Sequence, residues 1–339
     1  MRSQSFLDLA RRAGFLPILL GDPDAGIVIL PDAEGRIFTL LADEVASRVV
    51  EPNFHARPPN TSLSLGGDVL WIAPEGTPFG FFYADGSWAI PSPLCALRFE
   101  IASRSDRSAS LVSPPLFLSN NSGVGVRVRL RRDVTLLPAC GCVSYETVET
   151  VEILDPPSAG PLRLVPWTLS QYPTAPDSSV SFNLPRASRR SSPAPLLPCS
   201  SSPLPGASFK HVYDSPRSDL RLSPAPARLA TTGKRKFQLI FPPGVDSLTL
   251  QTPRLSVSRT FLSASVLSAG APLPSSPVDI SDEPPGAPGP FDFPSRMSVF
   301  TSDEGFLELE AVGVSPLDFP PSALLTLRTH TTSRLHPLP

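Results

Sequence analysis

The sequence has little charge, few cysteines and no long apolar run. Charged residues make up 18% of the 339 residues, and the formal net charge is −2. This balance lacks the basic footprint of a nucleic-acid-binding protein or of one that binds anionic membranes. The four cysteines include no Cys-x-x-Cys pair, which argues against a zinc ribbon, and they are few for a disulfide scaffold.

Histidine is scarce as well, and its four positions, 55, 211, 330 and 336, are too scattered to predict a metal site from spacing. The sequence also has no nucleophile elbow and no glycine-rich phosphate loop ahead of a helix. We therefore expect neither a metal nor another cofactor.

No segment has the features of a signal peptide or a transmembrane helix. The first residues, MRSQSFLDLARRAG, contain an acidic residue and no sustained apolar stretch, unlike a signal peptide. The apolar run Phe15–Leu20 is far too short to span a bilayer. These features predict a soluble cytoplasmic protein without a membrane partner, and they leave its oligomeric state open.

Proline is abundant, with 44 residues in the chain, or 13% against a usual ~5%. It concentrates in residues 185–207, a Pro/Ser-rich stretch predicted to be a flexible insertion, and in residues 271–290, predicted to be a Pro-rich loop. The basic cluster Arg186–Arg190 ahead of Ser191 is either a kinase-accessible linker or a solvated charge run. Strand-like sequence continues on both sides of each break, so we predict one domain over residues 1–339.

Outside the Pro-rich stretches, the sequence has the pattern of an antiparallel β protein. A short helix is predicted at residues 5–14, and Glu51–Asn60 is predicted to be a loop because it contains three prolines. Val124–Leu130 alternates apolar and polar residues, as a half-buried strand does, and Val134–Leu137 is predicted to be the next strand. Similar segments recur about every ten residues between turn-forming residues, which predicts an antiparallel sheet or sandwich.

The stretch Ser64–Tyr83, SLGGDVLWIAPEGTPFGFFY, is the most distinctive in the chain. Its Gly pair permits backbone geometry that a side chain would block, and Pro-Glu-Gly is a typical turn. We predict two strands, the second at Phe79–Tyr83, that meet at this turn. Such an arrangement would bring Trp71, Glu75 and Tyr83 to one sheet edge and would suit sugar binding.

The same stretch resembles the Gly-Gly, Trp, Pro-Glu-Gly signature of an uncharacterised bacterial family in the galactose mutarotase-like (aldose 1-epimerase-like) superfamily. Further segments agree in order: GIVILPDAEGRIFTL, SWAIPSPL, LFLSNNSGVGVRVRLRRDVTLL, VSYETVETVEI, PWTLSQYP and FLELEAVGVSPLDFPPSALLTLRTH. The resemblance covers most of residues 5–335 apart from the Pro/Ser-rich insertion. It implies an all-β fold, a large antiparallel super-sandwich with a sugar-binding face.

The resemblance also locates the residues expected to carry chemistry. Mutarotases have a general-base glutamate in a Leu-Glu-Thr-Gln segment, which matches Leu309–Val312 and places Glu310 at the base position. Their Leu-His-Gly-Gly segment matches Ser64–Gly67, where Leu65 replaces the histidine. Their second histidine falls within Leu162–Gln171, which contains none. Ring opening needs both a base and an acid, so the loss of both imidazoles argues against ordinary mutarotase activity.

Each candidate residue also has a structural interpretation. Glu310 could be a solvent-facing strand residue, like Glu308. His330 could be a substitute acid or a satisfied polar residue at a strand end, and His55 a ligand contact or a solvated loop residue. Trp88, Trp71 and Trp167 could stack on a sugar or fill the core. The predicted catalytic residues are Glu310 and His330, and the predicted substrate-binding residues are Trp88, Glu75, Trp71, Arg57 and His55.

Three functions stay open from the sequence. The chain could be a carbohydrate-binding or vestigial mutarotase-like protein with a sugar or glycan ligand. It could be an active epimerase or carbohydrate-processing enzyme with Glu310 as its base. It could also be a non-enzymatic interaction scaffold whose Pro/Ser-rich insertion recruits partners. The discriminating feature is whether Glu310, His330, His55 and an aromatic face converge in one pocket.

Overall fold

The computed structural model describes residues 1–56, 64–76, 78–84, 87–157, 160, 162–184, 208–209, 219–221, 226–242, 244–267, 272–273, 295–316 and 319–336. Within them the chain is almost entirely antiparallel β-sheet. The short helices are α1 (Ser3–Arg12), α2 (Glu51–His55) and a 3-10 turn at Ser92–Leu94.

The strands, in chain order, are β1 (Ile18–Asp22), β2 (Ala25–Leu30), β3 (Arg36–Leu41), β4 (Glu44–Val45), β5 (Asp68–Ala73), β6 (Tyr83–Ala84), β7 (Ser87–Trp88), β8 (Glu100–Arg104), β9 (Ser108–Val112), β10 (Leu116–Ser119), β11 (Gly125–Leu137), β12 (Val143–Asp155) and β13 (Val165–Pro173). They continue with β14 (Ser179–Phe182), β15 (Ser208–Phe209), β16 (Leu220–Arg221), β17 (Ala227–Ala230), β18 (Phe237–Ile240), β19 (Ser247–Gln251), β20 (Leu255–Leu267), β21 (Pro272–Leu273), β22 (Met297–Ser302), β23 (Phe306–Val312), β24 (Ser315–Pro316) and β25 (Leu324–Leu335).

Two large sheets account for most of these strands. The first sheet has the order β1-β2-β3-β5-β13-β23-β22-β18-β15, with β4 paired to β3. The second has the order β16-β17-β14-β19-β20-β25-β12-β11-β9-β8, with β10 paired to β11. Two small ribbons, β6-β7 and β21-β24, complete the described sheets. The predicted all-β class, a large antiparallel sandwich, is confirmed.

Helix α1 packs on the first sheet through one apolar stripe. Phe6, Leu7, Leu9 and Ala10 are buried, and the ring of Phe6 lies 4.7 Å from that of Phe38 in β3. Arg11 and Arg12 in the last turn suit the negative end of the helix dipole. The helix predicted at residues 5–14 is therefore confirmed, although it begins two residues earlier.

One predicted strand boundary was wrong, and it lies within β11. The predicted break between Val124–Leu130 and Val134–Leu137 is absent, because side chains alternate between buried and more exposed through the whole of β11. Arg132 lies in the predicted gap but points into the core, where its guanidinium binds the carboxylate of Glu149 on β12 at 2.8 Å. The buried Arg132 can therefore take an inward-facing position in β11, because the carboxylate of Glu149 compensates its charge.

Two other local predictions were wrong. Glu51–His55 forms helix α2, since Pro52 occupies the first turn, where its missing N–H costs nothing, and Phe54 anchors the turn in the core. Phe79–Tyr83 does not form a full strand: Tyr83–Ala84 pairs with Ser87–Trp88, and Phe81 forms an isolated bridge with Glu75. Phe81 closes a loop, because its N–H donates to Pro74 O at 2.9 Å and its carbonyl accepts from Gly76 N–H at 3.0 Å.

Some predictions concern parts of the chain beyond this description. The Pro/Ser-rich insertion at 185–207 and nearly all of the Pro-rich loop at 271–290 lie outside the described residues. The organisation of residues 1–339 as one domain stays a prediction. In the described part of the chain, neither helix has the length and apolar character needed to cross a membrane.

Candidate functional site on the outer face of the first sheet

Glu310 lies on the outer face of the first sheet, the side turned away from the second sheet. Ser170 in β13 points into the core, where it contacts Arg259 of the second sheet. Its neighbour Leu169 must point the opposite way because side chains alternate along a strand. Leu169 pairs directly with Glu310 in β23, so the two side chains share the outer face.

The carboxyl group of Glu310 is fully buried and fully engaged. Its exposed fraction is 0%. Gln238 in β18 donates its side-chain N–H to Oε2 at 3.0 Å and to Oε1 at 3.2 Å. Ser298 in β22 donates its hydroxyl to Oε2. Three adjacent strands therefore fix one carboxyl group, and its oxygens face protein donors instead of solvent.

Glu308 lies two residues earlier in β23 and therefore on the same face. Its side chain is only partly buried, in contrast with that of Glu310. Gln171, its directly paired residue in β13, donates to Glu308 Oε1 at 2.6 Å. The two carboxyl groups are close enough for each to influence the pKa of the other. The pair forms a polar patch that runs from the buried Glu310 towards solvent at Glu308.

The surroundings make both groups weaker acids than usual. Burial raises the pKa of Glu308 to about 7, against the lowering effects of Gln171 and Arg48. Burial, followed by the negative charges of Glu308 and Glu75, raises the pKa of Glu310 well above its ordinary range. Glu308, with a pKa of about 7, is therefore divided between its two states at neutral pH, and Glu310 holds its proton more tightly than an ordinary glutamate. The raised pKa favours the acid form of Glu310 over the base that its position implied.

Glu75 approaches the pair from the loop after β5. Its side chain is only 6% exposed, and its charge contributes to the raised pKa of Glu310. Asn121, between β10 and β11, holds this loop because its amide donates to Gly76 O at 3.0 Å and to Phe81 O at 3.1 Å. The segment that contains Asn121 therefore fixes the loop that carries Glu75.

Four aromatic side chains form a cluster beside the carboxyl pair. Trp71 in β5 pairs directly with Trp167 in β13, and their ring centroids lie 5.9 Å apart. Phe82 contacts both rings, at 5.5 and 5.8 Å. Trp88 stacks on Phe82 at 6.1 Å with an interplanar angle of 21° and remains 48% exposed. This aromatic cluster therefore leads from the sheet surface out to solvent.

Two indole N–H groups in the aromatic cluster have no hydrogen-bond partner. Trp167 is 2% exposed, and both its Nε1 and that of Trp71 are buried without an acceptor. Buried polar groups are nearly always paired, and an unpaired one costs about 1–3 kcal/mol. The two donors are therefore suited to a ligand that brings acceptor oxygens.

The cations near the site already have anionic partners. Arg48 lies 3.5 Å above the ring of Phe306 and donates to Glu304 Oε2 at 3.0 Å and to Gln171 Oε1 at 3.3 Å. Arg36 in β3 forms a buried ion pair with Glu34. Because these charges are compensated, the patch favours a neutral, hydrogen-bonding ligand over an anion.

His330 lies on the other sheet. Its neighbours Thr329 and Thr331 in β25 are buried in the core, so His330 points to the outer face of the second sheet. There its Nε2 lies 2.7 Å from Ser144 Oγ in β12. The whole sandwich separates His330 from Glu310, and the two residues do not form one site.

Two of the predicted substrate-binding residues, His55 and Arg57, remain. His55 is exposed at the end of α2, and Arg57 lies outside the described residues. Leu65, at the position of the absent histidine, is 0% exposed in an apolar cluster with Phe6, Phe38 and Phe54. Of the predicted set, Glu310, Glu75, Trp71 and Trp88 come together.

Sequence reasoning missed the residues that bind the carboxyl pair. Gln171, Gln238, Ser298 and Arg48 carry no motif, and Glu308 was considered only as a solvent-facing residue. The one available signal was the Glu-Leu-Glu alternation, which places Glu308 and Glu310 on one face of a strand. In the described part of the chain, no three or more His, Cys, Asp or Glu residues are grouped so as to hold a metal ion.

Comparisons with known proteins found one family model and several similar solved structures. Residues 8–148 match the model of a family of unknown function, DUF6786. A search of curated proteins found no match. A TPR-domain containing protein from Parabacteroides distasonis ATCC 8503 is similar, with 11% identity, a TM-score of 0.51, and coverage of 96% of this chain and 48% of that one.

Two further solved structures have names from sugar metabolism. A galactose mutarotase-like protein from Lactobacillus casei ATCC 334 has 10% identity and a TM-score of 0.49, covering 95% of this chain and 100% of that one. Galactose 1-epimerase from Lactobacillus acidophilus NCFM has 9% identity and a TM-score of 0.43, covering 95% and 94%. Solved structures similar to this chain therefore include proteins named as galactose mutarotase-like and galactose 1-epimerase, and the family model that matches it is one of unknown function. At these identities the likeness concerns the fold alone.

Proposed function

We propose that the outer face of the first sheet binds a neutral carbohydrate between the aromatic cluster and the carboxyl pair. The observation that carries this proposal is the pair of buried, unpartnered indole N–H groups of Trp71 and Trp167, on the same sheet face as Glu310 and two residues along from it in the register. A polyhydroxylated ligand supplies acceptor oxygens for the indoles and hydroxyl donors for the carboxyl groups in one molecule.

The aromatic cluster supplies the apolar half of such a site. A sugar ring has one face of C–H groups, and an exposed indole offers a large flat surface to it together with a polar edge. Trp88 presents such a surface at 48% exposure, held flat by stacking on Phe82. Its role is therefore to hold the ring of the sugar at the mouth of the site.

The polar half consists of few, well-fixed groups, as is usual in small-molecule sites. Gln171 holds Glu308 at 2.6 Å and is itself contacted by Arg48, so the orientation of the carboxyl group is set before a ligand arrives. Fixed donors and acceptors reduce the entropy lost on binding. This arrangement favours recognition of the sugar's hydroxyl groups by direct hydrogen bonds.

Thermal stabilisation by a panel of neutral mono- and oligosaccharides tests the proposal. A ligand at 100 times its Kd stabilises the folded state by about 2.7 kcal/mol. We expect Trp88→Ala to weaken the stabilisation, while Phe117→Ala, which removes an aromatic side chain that is 65% exposed on the second sheet, leaves it unchanged. Absence of stabilisation across the panel, or an equal response of both variants, would contradict sugar binding at this face.

One observation favours a second function, interconversion of the anomers of the bound sugar. Burial brings the pKa of Glu308 to about 7, near the value at which a carboxyl group both gives and takes protons at neutral pH. Polarimetry of freshly dissolved aldoses tests this function with the wild type and Glu310→Gln. Equal rates, both at the uncatalysed level, would exclude it while leaving sugar binding intact.

A further inference from the structure

We propose that Glu308 is the residue that exchanges protons with the bound sugar, and that Glu310 is its buried proton-holding partner in a two-carboxyl acid–base unit. This inference rests on the proposed function and replaces Glu310, the residue favoured by the resemblance, with its neighbour.

Accessibility separates the two groups. The oxygens of Glu310 are occupied by Gln238 and Ser298, and the residue is 0% exposed. A sugar cannot contact this carboxyl group without displacing protein donors. Glu308 accepts a hydrogen bond from Gln171, and part of its side chain reaches solvent. Only Glu308 can therefore meet a ligand without rearrangement.

The two carboxyl groups lie two residues apart on one face of β23, so a negative charge on one opposes a negative charge on the other. The pair therefore favours the retention of one proton. Several charges face the pair: Glu75 opposes a negative charge on Glu310, while Arg48 and Arg36 favour one on Glu308. Glu304, which faces Arg48, partly compensates that cation. The retained proton therefore resides mainly on Glu310.

A carboxyl group in this position can act as both the acid and the base of ring opening. In its protonated form, Glu308 gives its proton to the ring oxygen as the bond between that oxygen and the anomeric carbon breaks. Its other oxygen takes the proton of the anomeric hydroxyl as the aldehyde forms. Glu308 ends with as many protons as it began with, and ring closure on either face of the aldehyde reverses the step. No imidazole is required, which suits a chain with Leu65 at the histidine position.

The first experiment tests the carboxyl pair independently of sugar binding. Infrared difference spectra at pH 7 measure the C=O band of a protonated carboxylic acid without any sugar. We expect this band in the wild type and in Glu308→Gln, and a weaker band in Glu310→Gln, where only the partly protonated Glu308 contributes. Glu152→Gln, which changes an ion-paired glutamate on the second sheet, should leave the band unchanged. Absence of the band in both the wild type and Glu308→Gln would overturn the pairing, whether or not a sugar binds.

Polarimetry then tests the assignment to Glu308. With a sugar that stabilises the wild type, we expect Glu308→Gln to lose catalysed interconversion by about 100-fold or more while still binding the sugar. Glu152→Gln should retain the full rate. An unchanged rate in Glu308→Gln, or an uncatalysed rate in the wild type despite sugar binding, would overturn the role of Glu308. Failure of every sugar to bind, with the infrared band present, would refute the proposed function and the role of Glu308 while leaving the pairing intact.

Discussion

Asp68 and Arg259 join the two sheets through the core, with Arg259 Nη1 2.5 Å from Asp68 Oδ2. Asp68 lies in β5 of the first sheet and Arg259 in β20 of the second, and both are almost completely buried. Arg132 binds the other carboxylate oxygen of Asp68 and also Glu149. The Gly-Gly-Asp segment therefore ends in a carboxylate that ties the sheets together beneath the candidate site.

Removing the charge of Asp68 should strongly destabilise the fold. Asp68→Asn leaves two buried guanidinium groups short of an anion, so we expect a loss of about 3–5 kcal/mol in the free energy of unfolding. Asp155→Asn, at an exposed pair with Arg127, should cost less than about 1 kcal/mol. Urea unfolding measures the loss in both variants. Small losses of similar size would show that the ion pairs in the core contribute little to stability.

The same carboxylate predicts a loss of stability in acid. Burial acts to raise the pKa of Asp68, but Arg259, Arg132 and Ser170 together hold it below its ordinary value. Its stabilising contribution is therefore complete above the unfolded pKa of about 3.9 and is lost as the pH falls through the folded value. Unfolding curves below pH 4 should show this loss in the wild type and much less of it in Asp68→Asn.

The raised pKa of Glu310 predicts the opposite pH dependence, a loss of stability as the pH rises. Its folded pKa is raised well above the unfolded value of about 4.3, mainly by burial and by the charges of Glu308 and Glu75. The folded state therefore binds more protons from about pH 4.3 upwards, and its stability falls as the pH rises. We expect Glu310→Gln to lose less stability than the wild type between pH 5 and 8, by at most about 1.4 kcal/mol per pH unit. Parallel curves for the two proteins would contradict a raised pKa.

Gly66 should tolerate no side chain. Its φ is +92°, and a Cβ there would lie 2.0 Å from Arg48 O, whereas Gly123, with a φ of +83°, has open space around the same position. Gly123→Ala should cost about 1–2 kcal/mol for the left-handed backbone alone. Gly66→Ala should cost a further 1–3 kcal/mol or more, roughly, for the collision. Equal losses in thermal unfolding would mean that the backbone moves freely at Gly66.

Restoring the absent histidine should not restore an active site. Leu65 is fully buried among Phe6, Phe38 and Phe54, so Leu65→His places an imidazole in an apolar cluster. We expect a loss of about 2–4 kcal/mol in the free energy of unfolding and no gain in anomer interconversion. Leu16→His, at a position that is 73% exposed, should be nearly neutral. A stable Leu65→His variant with increased activity would contradict this assignment.

Much of the fold could be predicted because strands have a local pattern. The predicted strand segments Val124–Leu130 and Val134–Leu137 both fall within β11, to within one residue, since apolar alternation marks them. Prediction failed where a distant partner reversed the local preference. Arg132 interrupts an apolar pattern, yet Glu149 makes it a core residue, and Phe54 turns a Pro-rich segment into a helix that packs on the first sheet.

The candidate site could be predicted only in part for the same reason. The resemblance located Glu310, but it gave no indication that Glu310 is buried or that Glu308 is the accessible member of the pair. It also did not indicate that His330 belongs to the opposite sheet, because two strands that are close in sequence can lie in different layers of a sandwich.

The sequence by itself determined that this chain is an antiparallel β protein and that Glu308 and Glu310 share one strand face, because both follow from the two-residue period of a strand. Only the tertiary structure decided which of these carboxyl groups is buried and how strongly each holds its proton. Gln171 lies 137 residues from Glu308, and Gln238 lies 72 residues from Glu310. A carboxyl group's proton affinity depends on the burial and charges around it, and only the folded sheet brings those residues together.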